Sequence, residues 1–389
     1  MQFFIATPLG FEESVCEEIK AVWPRLLNKS AQPLTEPLPE LKVLKGGVEL
    51  ECDFFIGLQF NFFLKTANRV LLRLAQFKAK DFPSFYGRFK VLPWKDYFHS
   101  SAIQFSVAAQ TSRLNNEKRI QESAQAALDE IFGKNESEEL QDGIFIRFAN
   151  DLCTISLDTT GEHLHKRGWG QLKGEAPLRE TLAAKMLQEL LKSAPEAGDE
   201  IVLMDPMMGS GTFLSEAMGW AAGHFSRAYA FQAWKRAPKL FQADKFYLNY
   251  KSFPKNPFKE LYGVDLSEKM QKSAEKNLQQ VAEALVQQRA PTAPAFKVFQ
   301  GDALKGHENL PQGAWLVVNP PYGERIEQSS ESLRSLIEGL IAVYSPQKMG
   351  LLFPRSGGKV KAPKGYRLQE QVSISNGGIP CLFNIFTLM

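Results

Sequence analysis

Between residues 178 and 354, apolar runs of strand length alternate with helix-length stretches whose apolar residues recur every three or four positions. No other feature restricts the fold of this chain as much. IVLMDP (201–206), LYGVDL (261–266), FKVFQGDA (296–303), AWLVVNP (314–320) and MGLLFP (349–354) read as strands. The intervening helices run through Leu178, Leu182, Met186 and Leu190, through TFLSEAMGWAAGHF (212–225), through Met270, Ala274, Leu278 and Val281, and through SLRSLIEGLIAVY (332–344). Such alternation predicts a doubly wound α/β fold, a parallel sheet covered on both faces, because parallel neighbours need a crossover and a helix is the shortest stable one. The tail YRLQEQVSISNGGIPCLFNIFTLM (366–389) reads instead as a terminal antiparallel hairpin turning at Asn376 and Gly377.

The preceding half has another rhythm. FFIAT (3–7), GGVELEC (46–52), ANRVLLRLAQF (67–77) and QFSVAAQTS (104–112) are expected strands; FEESVCEEIKAVW (11–23) and NNEKRIQESAQAALDEIFG (115–133) are expected amphipathic helices. GIFIRFANDLCTISLDT (143–159) predicts a hairpin turned at Asn150 and Asp151. This is a mixed α+β region, read as two small units, 1–64 and 65–160. HLHKRGWGQLKGEAP (163–177) lacks periodicity and sits in an expected linker, 161–177, before a domain covering 178–389.

A share of 44% hydrophobic and 23% charged residues excludes a disordered or collagen-like chain. No apolar run approaches the ~18 residues that suggest a membrane span, and MQFFIATPLGFEE lacks the basic start of a signal peptide, so a cytoplasmic location away from membranes is expected. Cys16, Cys52, Cys153 and Cys381 are far apart with no CxxC, and only His163 and His165 are close, so neither a disulfide framework nor a metal site is expected. Charge is uneven. From Lys65 to Arg119 eleven lysines and arginines stand against Asp81, Asp96 and Glu117, and from Ser226 to Lys259 eight stand against Asp244 alone. Both stretches are rich in aromatics, which points to a polyanion partner, while the rings at 226–259 read first as packing on the sheet and second as meeting RNA with Lys235, Arg236 and Lys239. Arg69, Arg73, Arg113, Lys118, Arg119, Lys166, Arg167, Lys235 and Arg236 are the candidate RNA contacts.

In open parallel sheets ligands bind beyond the carboxyl ends of the strands. Four of the expected strands end there in chemistry. DPMMGSGT (205–212) follows one and opens a helix; Gly209 and Gly211 permit close backbone approach, but neither GxGxxG nor a GK[ST] phosphate loop is present. Asp265 could accept two ribose hydroxyls and Asp302 an adenine amine, which together favour an adenosine-containing ligand. NPPY (319–322) then reads as a device for a nucleobase amine, whose lone pair is delocalised into the ring. The Asn319 side-chain oxygen and the Pro320 carbonyl can each hold one amine hydrogen and draw the nitrogen toward tetrahedral geometry, while Tyr322 stacks on the extruded base. NPPY serves any planar exocyclic amine, so guanine N2 and adenine N6 both remain open at this point. A cytosine C5 enzyme would need a cysteine near the motif, and none lies there.

In LHKRGWG, APLRETLAAKML, DPMMGSGTFLSEA, NPPYGERI and NGGIPCL, the chain resembles the THUMP-domain S-adenosylmethionine-dependent RNA guanine-N2 methyltransferases, specifically the bacterial large-subunit ribosomal RNA branch, over nearly its whole length. The resemblance implies a Rossmann-like methyltransferase domain at 178–389, a ferredoxin-like piece at 1–64 and a THUMP RNA-binding unit at 65–160. It implies S-adenosylmethionine held through Asp205, Pro206, Gly209, Ser210, Gly211, Thr212, Asp265, Asp302 and Asn319, with Thr181 covering the site, and catalysis by Asn319, Pro320 and Tyr322. The implied partner is large-subunit ribosomal RNA, or alternatively tRNA. Met208 stands where this family usually has Cys, and Trp169 and Gly170 replace its usual Tyr and basic residue. An adenine-N6 enzyme and a non-catalytic RNA-binding assembly factor are the competing readings.

Overall fold

The computed structural model describes all residues except 135–139, 171, 173, 175–177, 193–199, 291, 321–329 and 358–359. The described chain divides into two compact units, one of Met1–Leu164 with Arg227–Tyr250 and the other of His165–Ser226 with Lys251–Met389.

The first unit is built on a seven-stranded sheet from β1 (Gln2–Ala6), β2 (Lys42–Leu44), β3 (Gly47–Glu51), β4 (Arg69–Lys78), β5 (Ile103–Gln110), β6 (Gln141–Ala149) and β7 (Leu152–Asp158), in the order β2-β3-β1-β4-β7-β6-β5. Helices α1 (Glu12–Val22), α2 (Phe54–Leu58), α3 (Phe60–Phe63), α4 (Phe82–Lys90) and α5 (Glu117–Phe132) accompany it. Residues 1–64 and 65–160 share this sheet, because β1 pairs antiparallel with β4 across the expected boundary. The alternation read in 67–77 puts Val70 and Leu72 in the core, fully buried. Asn150 (φ 53°) and Asp151 (φ 60°) turn the β6–β7 hairpin with both φ positive, the type I′ geometry that matches strand twist.

Residues 227–250 lie within the expected methyltransferase domain in sequence but belong to the first unit in space. The reason is aromatic packing. Phe62 of α3 is surrounded by Tyr229, Phe231, Phe241 and Phe246, with ring centroids 5.1–5.9 Å away. Phe55 stacks on Phe241 at 4.5 Å, and the buried Tyr250 hydroxyl donates to Gln59 Oε1 at 2.8 Å. Aromatic pairs contribute about 0.5–1.5 kcal/mol each beyond their area burial. This excursion includes the short helix α8 (Lys239–Gln242).

The second unit is a seven-stranded sheet of β8 (Ile201–Asp205), β9 (Phe258–Asp265), β10 (Ala295–Gln300), β11 (Trp315–Val318), β12 (Lys348–Pro354), β13 (Tyr366–Asn376) and β14 (Ile379–Leu388), in the order β10-β9-β8-β11-β12-β14-β13. The first five named strands run parallel, whereas β14 pairs antiparallel with β12 and β13. The expected doubly wound sheet with a terminal antiparallel hairpin is therefore present. Its helices are α6 (Glu180–Leu191), α7 (Thr212–Met218), α9 (Glu268–Gln287) and α10 (Ser330–Tyr344). Helix α7 stops at Gly219, shorter than its apolar pattern to Phe225 predicts. A Cβ at Gly219 would come within 3.1 Å of the Trp169 ring, so a glycine stands where the chain must turn beneath an indole. The chain runs β8 to β9 to β10 toward one edge and resumes at β11 on the other side of β8. That reversal is the switch point at which such sheets open a crevice.

Candidate active site

Asp205 ends β8. Its carboxyl is buried, accepts a hydrogen bond from the Met207 amide at 3.1 Å, and titrates at about 8. Burial away from water is the main cause, the negative charge of Asp265 adds to it, and the Met207 amide opposes it. Pro206 is buried behind it. The loop then turns through Gly209 (φ 53°) and Gly211 (φ 79°), a backbone region that side chains disfavour. Gly211 is also constrained in space, since a Cβ there would lie 3.1 Å from the Ala274 methyl on α9. Ser210 is buried and Thr212 half-buried, and Thr181 is buried in the first turn of α6.

Asp265 ends β9 and ties the glycine loop to the next strand. Its Oδ2 accepts from the Gly209 amide at 2.9 Å and its Oδ1 from the Ser267 amide at 2.9 Å. Each oxygen has accepted one hydrogen bond from the protein backbone and has a lone pair left for a ligand donor. Leu266, the next residue, is 71% exposed, an apolar face beside a carboxylate. Asp302 lies two residues beyond β10, where Oδ1 accepts from the Leu304 amide at 2.9 Å and Lys305 approaches Oδ2 at 3.8 Å. Since Gln300 is in register with Asp265, and Asp205 with Gly263, these three acids sit at the same carboxyl edge of adjacent strands.

Asn319 follows the fully buried strand β11, which pairs with β8 so that Leu316 stands opposite Met204. The motif therefore leaves the sheet on the same edge as Asp205, directly beside the glycine loop's own strand. Asn319 is half-buried and Pro320 buried. Enclosure of the Asn319 side chain in the core would have excluded it from accepting a ligand hydrogen, and a half-buried position leaves that role open. Tyr322 lies outside the described residues.

One residue of the site was not anticipated. The Asn277 amide, 2% exposed on α9, donates to the Ser210 carbonyl and to the Leu172 carbonyl, both at 2.9 Å, and accepts from the Leu172 amide at 3.1 Å. It fixes the glycine loop and the preceding segment to one helix. A polar residue inside the buried stripe that carries Ala274, Leu278 and Val281 was the available signal, because a buried amide needs partners.

The candidate RNA contacts divide. Arg113, Lys118, Arg119, Lys166, Lys235 and Arg236 are exposed. Arg167 is not: its Nε and a terminal nitrogen reach the two Glu216 oxygens at 3.1 Å each, with both side chains at most 1% exposed. A forked ion pair of this kind is internal to the second unit and cannot meet phosphate. Arg69 is engaged by Asp158 and the Gly161 carbonyl. Arg73 lies over the Phe4 ring at 4.3 Å with Glu49 3.6 Å away. These three arginines are structural, because strand neighbours and a distant carboxylate use their guanidinium groups.

A parallel doubly wound sheet with a glycine loop after β8, acids ending β9 and β10, and Asn-Pro ending β11 is the architecture of a Rossmann-like methyltransferase domain. Residues 167–345, a little under half of the chain, match the family UPF0020, the RMKL-like methyltransferase domain. The ribosomal RNA large subunit methyltransferase K/L of Psychromonas ingrahamii is 30% identical over 308 residues, covering 75% of this chain and 39% of that protein. The chain spans about half the length, or less, of the K/L relatives that it matches. A Synechocystis protein, slr0064, provisionally named an RNA methyltransferase, is 27% identical over 399 residues and aligns over 97% of this chain and 96% of its own. Among solved structures, a possible methylase from Clostridium difficile 630 shares the fold, with a TM-score of 0.72 at 24% identity, covering 100% of this chain and 98% of the other. The methyl donor of this class is S-adenosylmethionine. The Asp265 carboxylate, whose oxygens each accept one backbone hydrogen bond and keep a lone pair, and the glycine loop with its positive-φ turns are groups of the kind that such a donor needs. Among the described residues no group of His, Cys, Asp and Glu could hold a metal ion. No helix among them is long and apolar enough to cross a membrane.

Proposed function

We propose that this chain transfers a methyl group from S-adenosylmethionine to the exocyclic N2 amine of a guanosine in structured RNA, with 23S ribosomal RNA as the substrate. The observation that carries this reading is Asn319-Pro320 leaving β11 on the same edge as, and one strand away from, the glycine loop after β8. The first unit, the ferredoxin-like and THUMP portion in this reading, grips the RNA.

S-adenosylmethionine would supply an electrophilic methyl carbon on a sulfonium, whose C–S bond would break as the N–C bond forms, leaving a neutral thioether. The chain's residues act around that exchange. Asp265 accepts from the ribose hydroxyls, Asp302 accepts from the adenine amine, and Leu266 meets the base. The Asn319 side-chain oxygen and the Pro320 carbonyl take the two amine hydrogens and localise the nitrogen lone pair. Tyr322 stacks on the extruded guanine. After transfer the nitrogen carries one proton too many and releases it to solvent. Alignment of nitrogen and carbon is thus the main catalytic contribution.

Labelled methyl transfer to 23S ribosomal RNA lacking its modifications, followed by digestion to nucleosides, tests the reading. N2-methylguanosine is the expected product. Recovery of N6-methyladenosine would assign the amine to adenine, and transfer to duplex DNA with none to RNA would remove the RNA substrate altogether. Asp265→Ala is expected to weaken S-adenosylmethionine by about 10- to 100-fold in a calorimetric titration, the range for losing hydrogen bonds to a charged acceptor. An affinity within twofold of wild type would take Asp265 out of the cofactor site.

A further inference from the structure

Within the excursion 227–250, most of the large rings are buried while four cations are exposed. Phe231, Trp234, Phe241 and Tyr250 are each under 5% exposed, whereas Lys235, Arg236, Lys239 and Lys245 are exposed. Contacts within the first unit join this segment to residues 94–99. The Lys235 amide donates to the Tyr97 carbonyl at 3.2 Å, and His99 Nε2 lies 3.2 Å from the Ala233 carbonyl. Trp234 meets Tyr97 edge-on at 5.1 Å, and the Arg236 guanidinium lies over the Phe54 ring at 5.0 Å. Two segments far apart in sequence therefore bring exposed Lys95, His99, Lys235 and Arg236 onto adjoining surface, with Lys239 close by in sequence. Asp96 is the sole acid within residues 94–99 and 232–240.

We infer that this patch docks the phosphate backbone of an RNA stem, and that it does so without reading bases. The inference rests on the RNA substrate proposed above and adds to it the place and manner of contact. Three features support it. The backbone that carries Lys235 is fixed by the Tyr97 carbonyl and the buried Trp234 ring, and the Arg236 guanidinium is held over the Phe54 ring. Most of the large rings that could stack on splayed bases are buried, and single-stranded RNA is recognised chiefly through such stacking. Lysine ammonium groups are point charges that neutralise phosphate and lack the planar fork used for base edges.

The test uses the full chain with Lys95→Gln, Lys235→Gln and Lys239→Gln combined, titrated against a labelled RNA duplex of about 20 base pairs and a single strand of equal length across a KCl series. The wild type is expected to bind the duplex more tightly than the single strand. The triple variant should bind the duplex at least about tenfold more weakly at moderate salt. Each phosphate contact contributes roughly 0.7–0.9 to the slope of log affinity against log salt, so the slope should become shallower by about 2. Thermal unfolding and S-adenosylmethionine affinity should match wild type, which separates lost contacts from lost folding. An unaltered slope, no duplex binding by the wild type, or equal losses on duplex and single strand would overturn the inference. Methyl transfer by the wild type is scored separately. A protein that methylates RNA while the variant keeps the wild-type slope loses only this patch. A protein that methylates no RNA while the variant loses duplex binding keeps the patch and loses the proposed reaction.

Discussion

Asn319→Ala is expected to lower kcat for RNA methylation about a thousandfold while leaving S-adenosylmethionine affinity within about threefold of wild type. The magnitude is what removal of one preorganised hydrogen-bonding group aimed at developing charge typically costs. A guanine amine donates its lone pair into the ring, and only while both hydrogens are held does the nitrogen present that pair to the methyl carbon. Removing the Asn319 oxygen releases one hydrogen and returns the nitrogen to planarity. In the proposed reading, cofactor binding rests mainly on the loop after β8 and on Asp265 and Asp302, which the substitution does not touch. Asn319→Asp keeps an acceptor at the same position, so its turnover should fall between those of Ala and wild type. Single-turnover kinetics on a fixed RNA separate this from a folding effect, and an alanine variant with wild-type turnover would place amine activation elsewhere.

The residues that carry this prediction were readable before any coordinates, because each stands where a local pattern ends. A buried run followed by Asp, Gly or Asn-Pro marks the carboxyl end of a parallel strand, and those ends share one edge by topology. The turn at Asn150 and Asp151 was legible for a similar reason, since both residues tolerate positive φ. The less legible features depend on partners distant in sequence. FFIGLQFNFF (54–63) is apolar except for Gln59 and Asn61, so it shows neither a clear helical nor a clear strand period, and the packing of α2 and α3 becomes visible only with the excursion's rings against Phe55 and Phe62. Arg167 looks like any basic residue of a glycine-rich linker until Glu216, 49 positions later, is found facing it. Packing and surface charge are separate properties of the excursion. Most of its large rings are buried, while Lys235, Arg236, Lys239 and Lys245 are exposed.

Asp205→Asn is expected to stabilise the ligand-free protein at alkaline pH and to make little difference in acid. The folded carboxyl titrates at about 8, well above an unfolded aspartate near 3.8. Between those values the folded state holds a proton that the unfolded state has released, so stability against unfolding falls as pH rises through that window. The penalty is nearly absent below pH 4 and reaches on the order of 5 kcal/mol by pH 8, from 1.36 kcal/mol per unit of separation. Asparagine has the same shape, keeps an acceptor for the Met207 amide and carries no ionisable group. Other acids titrate in the same range, Asp158 at about 6 among them, so the informative quantity is the variant's stability minus that of wild type at each pH. Contributions from acids that do not interact with Asp205 cancel in that difference. Denaturant unfolding at half-unit steps from pH 4 to 8.5 should show the difference growing in favour of the variant, most steeply between pH 5 and 8. A flat difference would mean that Asp205 is ionised in the folded protein at neutral pH. The carboxylate would then be charged before any ligand arrives, despite its burial and the neighbouring charge of Asp265.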